Sequence, residues 1–471
     1  MTSVLVVANG PMQRQMAGPS IRCLELSRVL HARGHQVTVA LPAPTDLPDQ
    51  GFPLVVYTAD SIVSLARRAD VVLVQGYVLR RHPDLAHVHS RIVVDLYDPF
   101  PLENLLVFQR APMERREAEH LESITAIWEQ LARGDFFLCS SERQRDFWVG
   151  GLTAMNRVNP YTYSEDPTLR NLIDVVPFGI PSVPASSTQR AIRSRVAGVG
   201  RDDIVLLWGG GVYNWFDPAI LIRAVGRLAD RHPRLRLVFM GGAHPEPGIN
   251  ELMWAVPEAR RLADELDLTD RFVFFNDTWV PYEARADWLL DADVGVSTHF
   301  DHVETRFSFR TRVLDYFWAG LPVICTAGDT IADTVASREL GATVPPEDLD
   351  AVVAAIDHMA ADRRWRNACS RRVRDFAAAL TWETVAEPLV RYCESGAAAA
   401  DGGWALRGRP FSTIAASLVT PAAMPRSGLR RRLRAAYDRL PLTVRRSRSM
   451  RWAVREVRRL RAPRSRPRSR R

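Results

Sequence analysis

No lysine occurs among the 471 residues, so all 62 basic side chains are arginines. Anion binding must therefore come from arginine, histidine or backbone N–H groups. Cysteine is scarce too. The five, Cys23, Cys139, Cys325, Cys369 and Cys393, are odd in number, scattered and without a Cys-x-x-Cys pair. That argues against a disulfide framework and against a zinc site, and it fits a reducing cytoplasm. No apolar run approaches the roughly 20 residues that a membrane-spanning helix needs. The opening MTSVLVVANG has about five apolar residues in a row and no basic start, so it reads as a first strand and not as a signal peptide. The first glycine-containing turn is not Gly-x-Gly-x-x-Gly and no acid ends the second strand, which weakens a nicotinamide-dinucleotide reading. Acids are few in one place only. Residues 401–471 hold 21 arginines against three acids, so that segment carries +18 while the chain as a whole carries +8 and the remainder −10. What remains is an ordinary soluble composition, 46% hydrophobic and 25% charged, over a length that calls for two domains.

Short apolar runs of the parallel-strand type alternate with helical stretches. Strands are expected at 4–8, 37–41, 71–75, 92–95, 136–139 and 173–176, with helices at 21–33 and 112–133 among them, a doubly wound pattern. A stretch rich in Pro, Gly and Ser at 177–189 interrupts it. A second α/β series follows, with strands at 204–208, 235–240, 271–275, 294–298 and 322–325 and helices at 349–359, 364–380 and 382–394. The expected division is 1–182 for a first Rossmann-like domain, 183–200 for a linker, 201–380 for a second such domain, 381–396 for a closing helix and 397–471 for an arginine-rich tail. The fold class is α/β, with ligands expected beyond the carboxyl ends of the strands.

Several loops at those ends carry chemistry. The first holds Gly10 and Gly18-Pro19-Ser20, with Ser20 placed as a helix N-cap, so its backbone can approach a phosphate or sugar or can simply form a tight turn. Gly209-Gly210-Gly211 is a second such turn, followed by Tyr213-Asn214-Trp215-Phe216-Asp217. Asp98 leaves a strand at its carboxyl end, which aims it at a cleft or else leaves it capping a turn. The most informative stretch is 307–326, FSFRTRVLDYFWAGLPVICT. It reads as a loop and a polar helix running into a strand, with Gly320 ending the helix and Pro322 preventing its return. Arg310 and Arg312 add charge where a helix start already favours an anion. Asp315, one turn on, can accept hydrogen bonds from hydroxyls of the molecule that carries the anion, or can form a surface i,i+3 ion pair with Arg312.

At these residues the sequence resembles glycosyltransferase family 4, two-domain sugar transferases of the GT-B fold. The family signature places an acid five positions before the glycine of a Gly-x-Pro-Val turn, as Asp315 stands before Gly320-Leu321-Pro322-Val323, and a second acid eight positions earlier. That earlier position is Phe307 here, and Glu304 is the nearest upstream carboxylate. The resemblance runs to about residue 395 and includes the opening AGPSIRCLELSRVLHARGHQVTVA. Family members often carry His-Asp where this chain has Tyr97-Asp98, and basic residues after the second glycine turn where it has none. The charge for a diphosphate is therefore expected on Arg310 and Arg312.

The resemblance implies two facing Rossmann-like domains, a last helix crossing back to the first, and retaining transfer of a sugar from a nucleotide-sugar donor to a hydroxyl acceptor, a cell-envelope glycan or lipid-linked intermediate. Arg310, Arg312, Glu304 and Asp98 are the expected catalytic residues. Gly18, Gly210, Gly211, Asn214, His244, Trp279, Val280 and Asp315 are expected at the donor, with Trp279 and Val280 walling the base unless Trp279 packs under its own loop. No separate cofactor is expected, since the nucleotide sugar is a substrate. His299, His302 and Glu304 invite a metal, but they lie in a loop and GT-B enzymes generally hold no catalytic metal. The alternatives are a nucleotide-sugar epimerase of the same architecture and a degenerate transferase fold kept as a scaffold. In the tail, Met450, Ala453, Val454, Val457 and Leu460 fall on one face of a basic helix. That pattern suits peripheral binding to the anionic inner face of a membrane, with a solvated extension as the plainer reading. No nucleic-acid-binding signature accompanies it.

Overall fold

The computed structural model describes residues 1–402 apart from Ala243. The expected tail helix around Met450 to Leu460 lies outside the described residues.

Two parallel sheets organise the chain. The first contains β1 (Ser3–Val7), β2 (Gln36–Leu41), β3 (Leu54–Val56), β4 (Val71–Gln75), β5 (Arg91–Asp95), β6 (Phe136–Cys139) and β7 (Ile173–Val175), in the order β3-β2-β1-β4-β5-β6-β7. The second contains β8 (Ile204–Trp208), β9 (Leu235–Phe239), β10 (Val273–Phe275), β11 (Val294–Ser297), β12 (Val323–Thr326) and β13 (Gly341–Val344), in the order β10-β9-β8-β11-β12-β13. Every strand pairing within them is parallel. Helices cover both faces of such sheets, which is why β4 is buried along its whole length and reads as a continuous apolar run. The edge strands β3 and β13 went unforeseen. Both are short and only partly buried, and β13, GATV, carries no apolar run to announce it.

Helix α1 (Gly18–Ala32) buries Leu26, Val29 and Leu30 against the first sheet. It starts at Gly18, with Ala17 at the N-cap and Pro19 in the first turn, where a proline costs no hydrogen bond. Ser20 is therefore inside the helix and not its cap; its hydroxyl donates to the Pro11 carbonyl at 2.9 Å. Further along lie α2 (Phe100–Val107), α3 (Met113–Arg133) and α4 (Glu142–Ala154) in the first half, and α5 (Pro218–Leu228), α6 (Thr311–Trp318), α7 (Leu349–Ala361) and α8 (Arg363–Ala377) in the second.

The chain returns to the first sheet at its described end. Ile180 and Trp382 exchange backbone bonds with this return, Ile180 N–H to Leu380 O at 2.8 Å and Trp382 N–H to Ile180 O at 3.0 Å. The expected single helix is two, Trp382–Val385 and α9 (Glu387–Ser395), because Pro388 opens a new helix. Tyr392 of α9 stacks on Phe136 with centroids 4.4 Å apart. Two buried ion pairs pin this half: Arg22 to Asp95 at 2.6 Å, and Arg157 to Asp401 at 2.6 Å.

Candidate active site

In each sheet the strand order reverses at one point, between β1 and β4 in the first and between β8 and β11 in the second. The loops leaving these strands line one cavity of about 740 Å³. A crevice at such switch points is where open α/β sheets bind ligands.

On the second-sheet side the floor is backbone. After β8 the chain turns at Gly210, whose φ of +81° lies in the left-handed region that suits glycine. Gly241, after β9, approaches so closely that a Cβ there would stand 2.7 Å from the Gly210 carbonyl. Tyr316 of α6 fixes this turn. Its hydroxyl accepts the Gly209 N–H at 2.7 Å and lies 3.0 and 2.9 Å from the carbonyls of Leu207 and Val296. Its ring fills the space beside Gly295, where a Cβ would fall 2.3 Å from ring carbon. The ends of β8 and β11 are therefore tied to the second turn of α6.

Arg312, in the first turn of α6, stands over that floor. Its Nη2 donates to the Gly211 carbonyl at 2.7 Å, and its guanidinium lies over the rings of Phe216 and Trp208 at 4.0 and 4.4 Å. Among the described residues no carboxylate reaches it within ion-pair distance, and its buried Nη1 has no hydrogen-bond partner. Burial lowers its pKa to about 10. A half-buried cation with no counter-ion can take an anion.

Arg310 is arranged differently. It grips both oxygens of Glu304 at 3.0 and 2.8 Å, with Asp329 3.6 Å from its Nε. It reaches the cleft wall but arrives already neutralised. Glu304 is fully buried and does not line the cleft, so the expected contact between Glu304 and a donor sugar is not made by this arrangement. Phe307, which replaces the family's earlier acid, packs on Phe147 of α4 at 4.6 Å, a contact to the other half of the molecule. Its carbonyl accepts from Gln144, whose amide also donates to the Tyr97 carbonyl, so one buried side chain ties the two walls together. His299 faces Asp329 at 3.4 Å and His302 faces Glu304 at 3.6 Å. Among the described residues no three such side chains converge as a metal site would require.

The surface ion pair between Arg312 and Asp315 does not form. Asp315 instead accepts from Arg285 at 3.0 Å, and Arg285 lies over Tyr282 at 3.6 Å and Trp318 at 4.4 Å. Asp315 keeps a third of its side chain exposed on the cleft. His244, Trp279 and Val280 line the same end. Burial lowers the His244 pKa to about 4, so it is neutral at pH 7, and its Nδ1 accepts the Glu246 N–H. Trp279 reaches across and donates to the Met16 carbonyl at 3.2 Å, packing against the first half and not under its own loop. Asn214 is a correction. It is buried away from the cleft, and its amide is spent on Leu252 O and Ala255 N–H.

The opposite wall comes from the first sheet. Gly18 opens α1 there, with the Tyr97 hydroxyl 3.6 Å from where a Cβ would lie. Asp98, after β5, and Glu103, in α2, both line the cleft and are hydrogen-bonded to each other. Burial and neighbouring acids push Asp98 up to about 7 and Glu103 well above the carboxylate range. Glu103 was not foreseen, nor was Tyr213, which lines the cleft within electrostatic reach of Arg312 and of this pair. The one signal for Glu103 was an acid in the helix turn following Asp98-Pro99.

Residues 203–362 match the family described as glycosyl transferases group 1. D-inositol 3-phosphate glycosyltransferases are similar to this chain in sequence. That of Kribbella flavida is 27% identical over 218 residues, covering 46% of this chain and 49% of that protein. That of Geodermatophilus obscurus is 30% identical over 231 residues, covering 48% of each. The chain thus spans about half the length of the curated relatives it matches. In fold it is similar to Anabaena Alr3699/HepE in complex with UDP and glucose, with a TM-score of 0.61 at 13% identity over 84% of this chain and all of that one. It is also similar to sucrose-phosphate synthase from Thermosynechococcus elongatus, with a TM-score of 0.56 at 18% identity over 84% of this chain and 99% of that one. Residues 203–362 are thus similar to the group 1 glycosyltransferases, and the two parallel sheets are those of the GT-B fold.

Proposed function

We propose that the cleft transfers a glycosyl group from a nucleotide-sugar donor to a hydroxyl acceptor. The observation that carries this reading is Arg312, desolvated and without a counter-ion beside the glycine turn. In the transfer, the bond from the anomeric carbon to the phosphate oxygen breaks, and the electron pair leaves on the diphosphate. That growing charge is what a preorganised cation and a helix start stabilise. Asp315 takes the ribose hydroxyls with the carboxylate edge it leaves exposed, and His244, Trp279 and Val280 bound the base. The complex of HepE with UDP and glucose supports a donor of this chemistry on this fold. Retention of configuration, independence of metal and of any separate cofactor, and a cell-envelope acceptor on the cytoplasmic side belong to the same reading. The test is thermal stabilisation of the full chain by UDP, GDP, ADP and dTDP, followed by nucleotide release from the matching sugar donors. Stabilisation by one of them and product with a hydroxyl acceptor are expected; no stabilisation by any would sink the reading.

Two further results are expected. Asp315→Asn should raise the donor KM about ten- to a hundredfold and change kcat only a few-fold, since a ribose contact worth about 1.5–3 kcal/mol acts on ground and transition state alike. A normal KM with reduced kcat would assign Asp315 another role. A chain ended after Gly402 should lose the sedimentation with anionic vesicles that is expected of the full chain, because the removed segment holds 21 arginines against two acids and the remainder is net negative. Salt should weaken the full chain's binding as the Debye length falls from about 10 Å at 0.1 M. Equal sedimentation of the two chains would leave the tail as a solvated extension.

A further inference from the structure

A carboxylate that takes hydroxyls has to present its oxygens in a fixed plane, and an aspartate side chain turns about two bonds unless a neighbour holds it. Asp315 is held on one side. Its Oδ1 accepts from Nε of Arg285 at 3.0 Å, whereas its Oδ2 makes no hydrogen bond or ion pair among the described residues. The pair is uneven. The Arg285 side chain is 7% exposed and that of Asp315 is 34% exposed, with both residues on the cleft.

Arg285 is fixed before Asp315 is counted. It opens the short helix Arg285–Leu289, and its Nη1 donates to the Tyr282 carbonyl at 2.7 Å. Its guanidinium lies against the rings of Tyr282 and Trp318, so a carbonyl and two aromatic rings set its orientation. Tyr282 is anchored in turn from the first half of the molecule, where the Arg14 carbonyl accepts its backbone N–H at 2.9 Å. Glu25 of α1 is also within electrostatic reach of Arg285, but Arg28 already holds that carboxylate at 2.7 Å. Asp315 is thus the acid that Arg285 serves.

We infer that Arg285 is a positioning residue for the donor: its Nε–H fixes the carboxylate plane of Asp315 and leaves Oδ2 aimed at the hydroxyls of the nucleotide's ribose. This rests on the transferase reading in which Asp315 takes those hydroxyls. Arg285 acts through Asp315 and not on the reacting atoms. An acceptor already in place loses no rotamer freedom when the ligand arrives, whereas a loose one must be ordered at the expense of affinity. The gain therefore falls on a nucleotide that carries ribose hydroxyls and not on one that lacks them.

Calorimetry on the full chain with UDP, GDP and ADP, each against its 2′,3′-dideoxy counterpart, tests this. Wild type is expected to bind one of the three about ten- to a hundredfold tighter than its dideoxy counterpart. Arg285→Met and Arg285→Gln have nearly the same length and differ at the position of Nε, where methionine places a methyl group and glutamine an amide that can donate. Arg285→Met should reduce the preference to below about threefold, and Arg285→Gln should keep it within about threefold of wild type. General damage to the cleft would weaken both nucleotides alike and leave their ratio unchanged. A preference kept in Arg285→Met, or lost equally in the two variants, overturns the inference. If Arg285→Met does not fold, Trp318→Leu, which frees one face of the guanidinium, takes its place, and an unchanged preference there overturns the inference. A wild type that binds none of the three, or binds without preference, overturns the ribose reading of Asp315 and this inference with it. A wild-type preference that is lost in Asp315→Asn and kept in Arg285→Met overturns this inference alone.

Discussion

Replacing Arg312 with methionine is expected to cut turnover about a hundred- to a thousandfold without lowering the melting temperature. The two halves of that result come from one feature of the site. Arg312 has no carboxylate partner, and burial already lowers its pKa to about 10, so its charge is held at a cost to the folded state. Methionine keeps contact with the rings of Trp208 and Phe216 and removes that cost, and replacing buried charges by apolar side chains of similar size is often neutral or stabilising. The rate is another matter. One preorganised donor at the point where charge develops contributes about 2.7–4 kcal/mol to the transition state, which gives the hundred- to thousandfold factor. Differential scanning fluorimetry and a nucleotide-release assay on the same preparation decide it. A melting temperature lower by several degrees would make Arg312 a structural residue, and turnover within about fivefold of wild type would remove it from the leaving-group site.

Arg310 serves as the contrast within the same stretch. From the sequence the two arginines are equivalent, two positions apart at a helix start. In the fold Arg310 closes on Glu304 while Arg312 is left open. Spacing along a chain tells which residues share a helix turn, but not which acid from a neighbouring loop reaches one of them first. The same limit explains Asn214, which looked like part of a donor turn and proves to be a buried brace for the segment 252–255. Glu103 fails in the other direction: it belongs to no motif, and only the fold of α2 back toward β5 brings it against Asp98.

What was legible had strong local causes. Strands buried on both faces are continuous apolar runs, and the turn after β8 carries glycine at a positive φ, Gly210, that suits this residue. Two-sheet architecture and the cleft follow from that series. Strands β3 and β13 were invisible because edge strands need no long apolar run, and their register is supplied by their neighbours β2 and β12. The helix start at Gly18 was missed by three residues because Ser20 satisfied the pattern of a cap, while Pro19 was equally content inside the first turn.

The largest loss of stability is expected from a residue that the sequence assigns to the tail. Asp401 lies within the segment 397–471, yet its carboxylate is fully buried in the first half of the molecule. It takes Arg157 Nε at 2.6 Å and Nη2 at 3.1 Å, and Asn159 donates to it at 3.3 Å. Arg157 is itself buried and holds the carbonyl of Leu131 at the end of α3. Asp401→Ala leaves that guanidinium without a counter-ion in the interior, a change that typically costs about 3–5 kcal/mol. Removing both charges together, as Arg157→Met with Asp401→Leu, should recover much of that cost, because the penalty lies in the orphaned ion and not in the pair. The same reasoning separates two truncations. A chain ended after Gly402 keeps the pair and should melt like the full chain, whereas one ended after Gly396 should melt as low as Asp401→Ala. Thermal melts of the four variants against wild type form the measurement. Equal melting of the chains ended at 396 and 402 would show that Asp401 is not an anchor of the fold, and the tail would then begin where its composition changes.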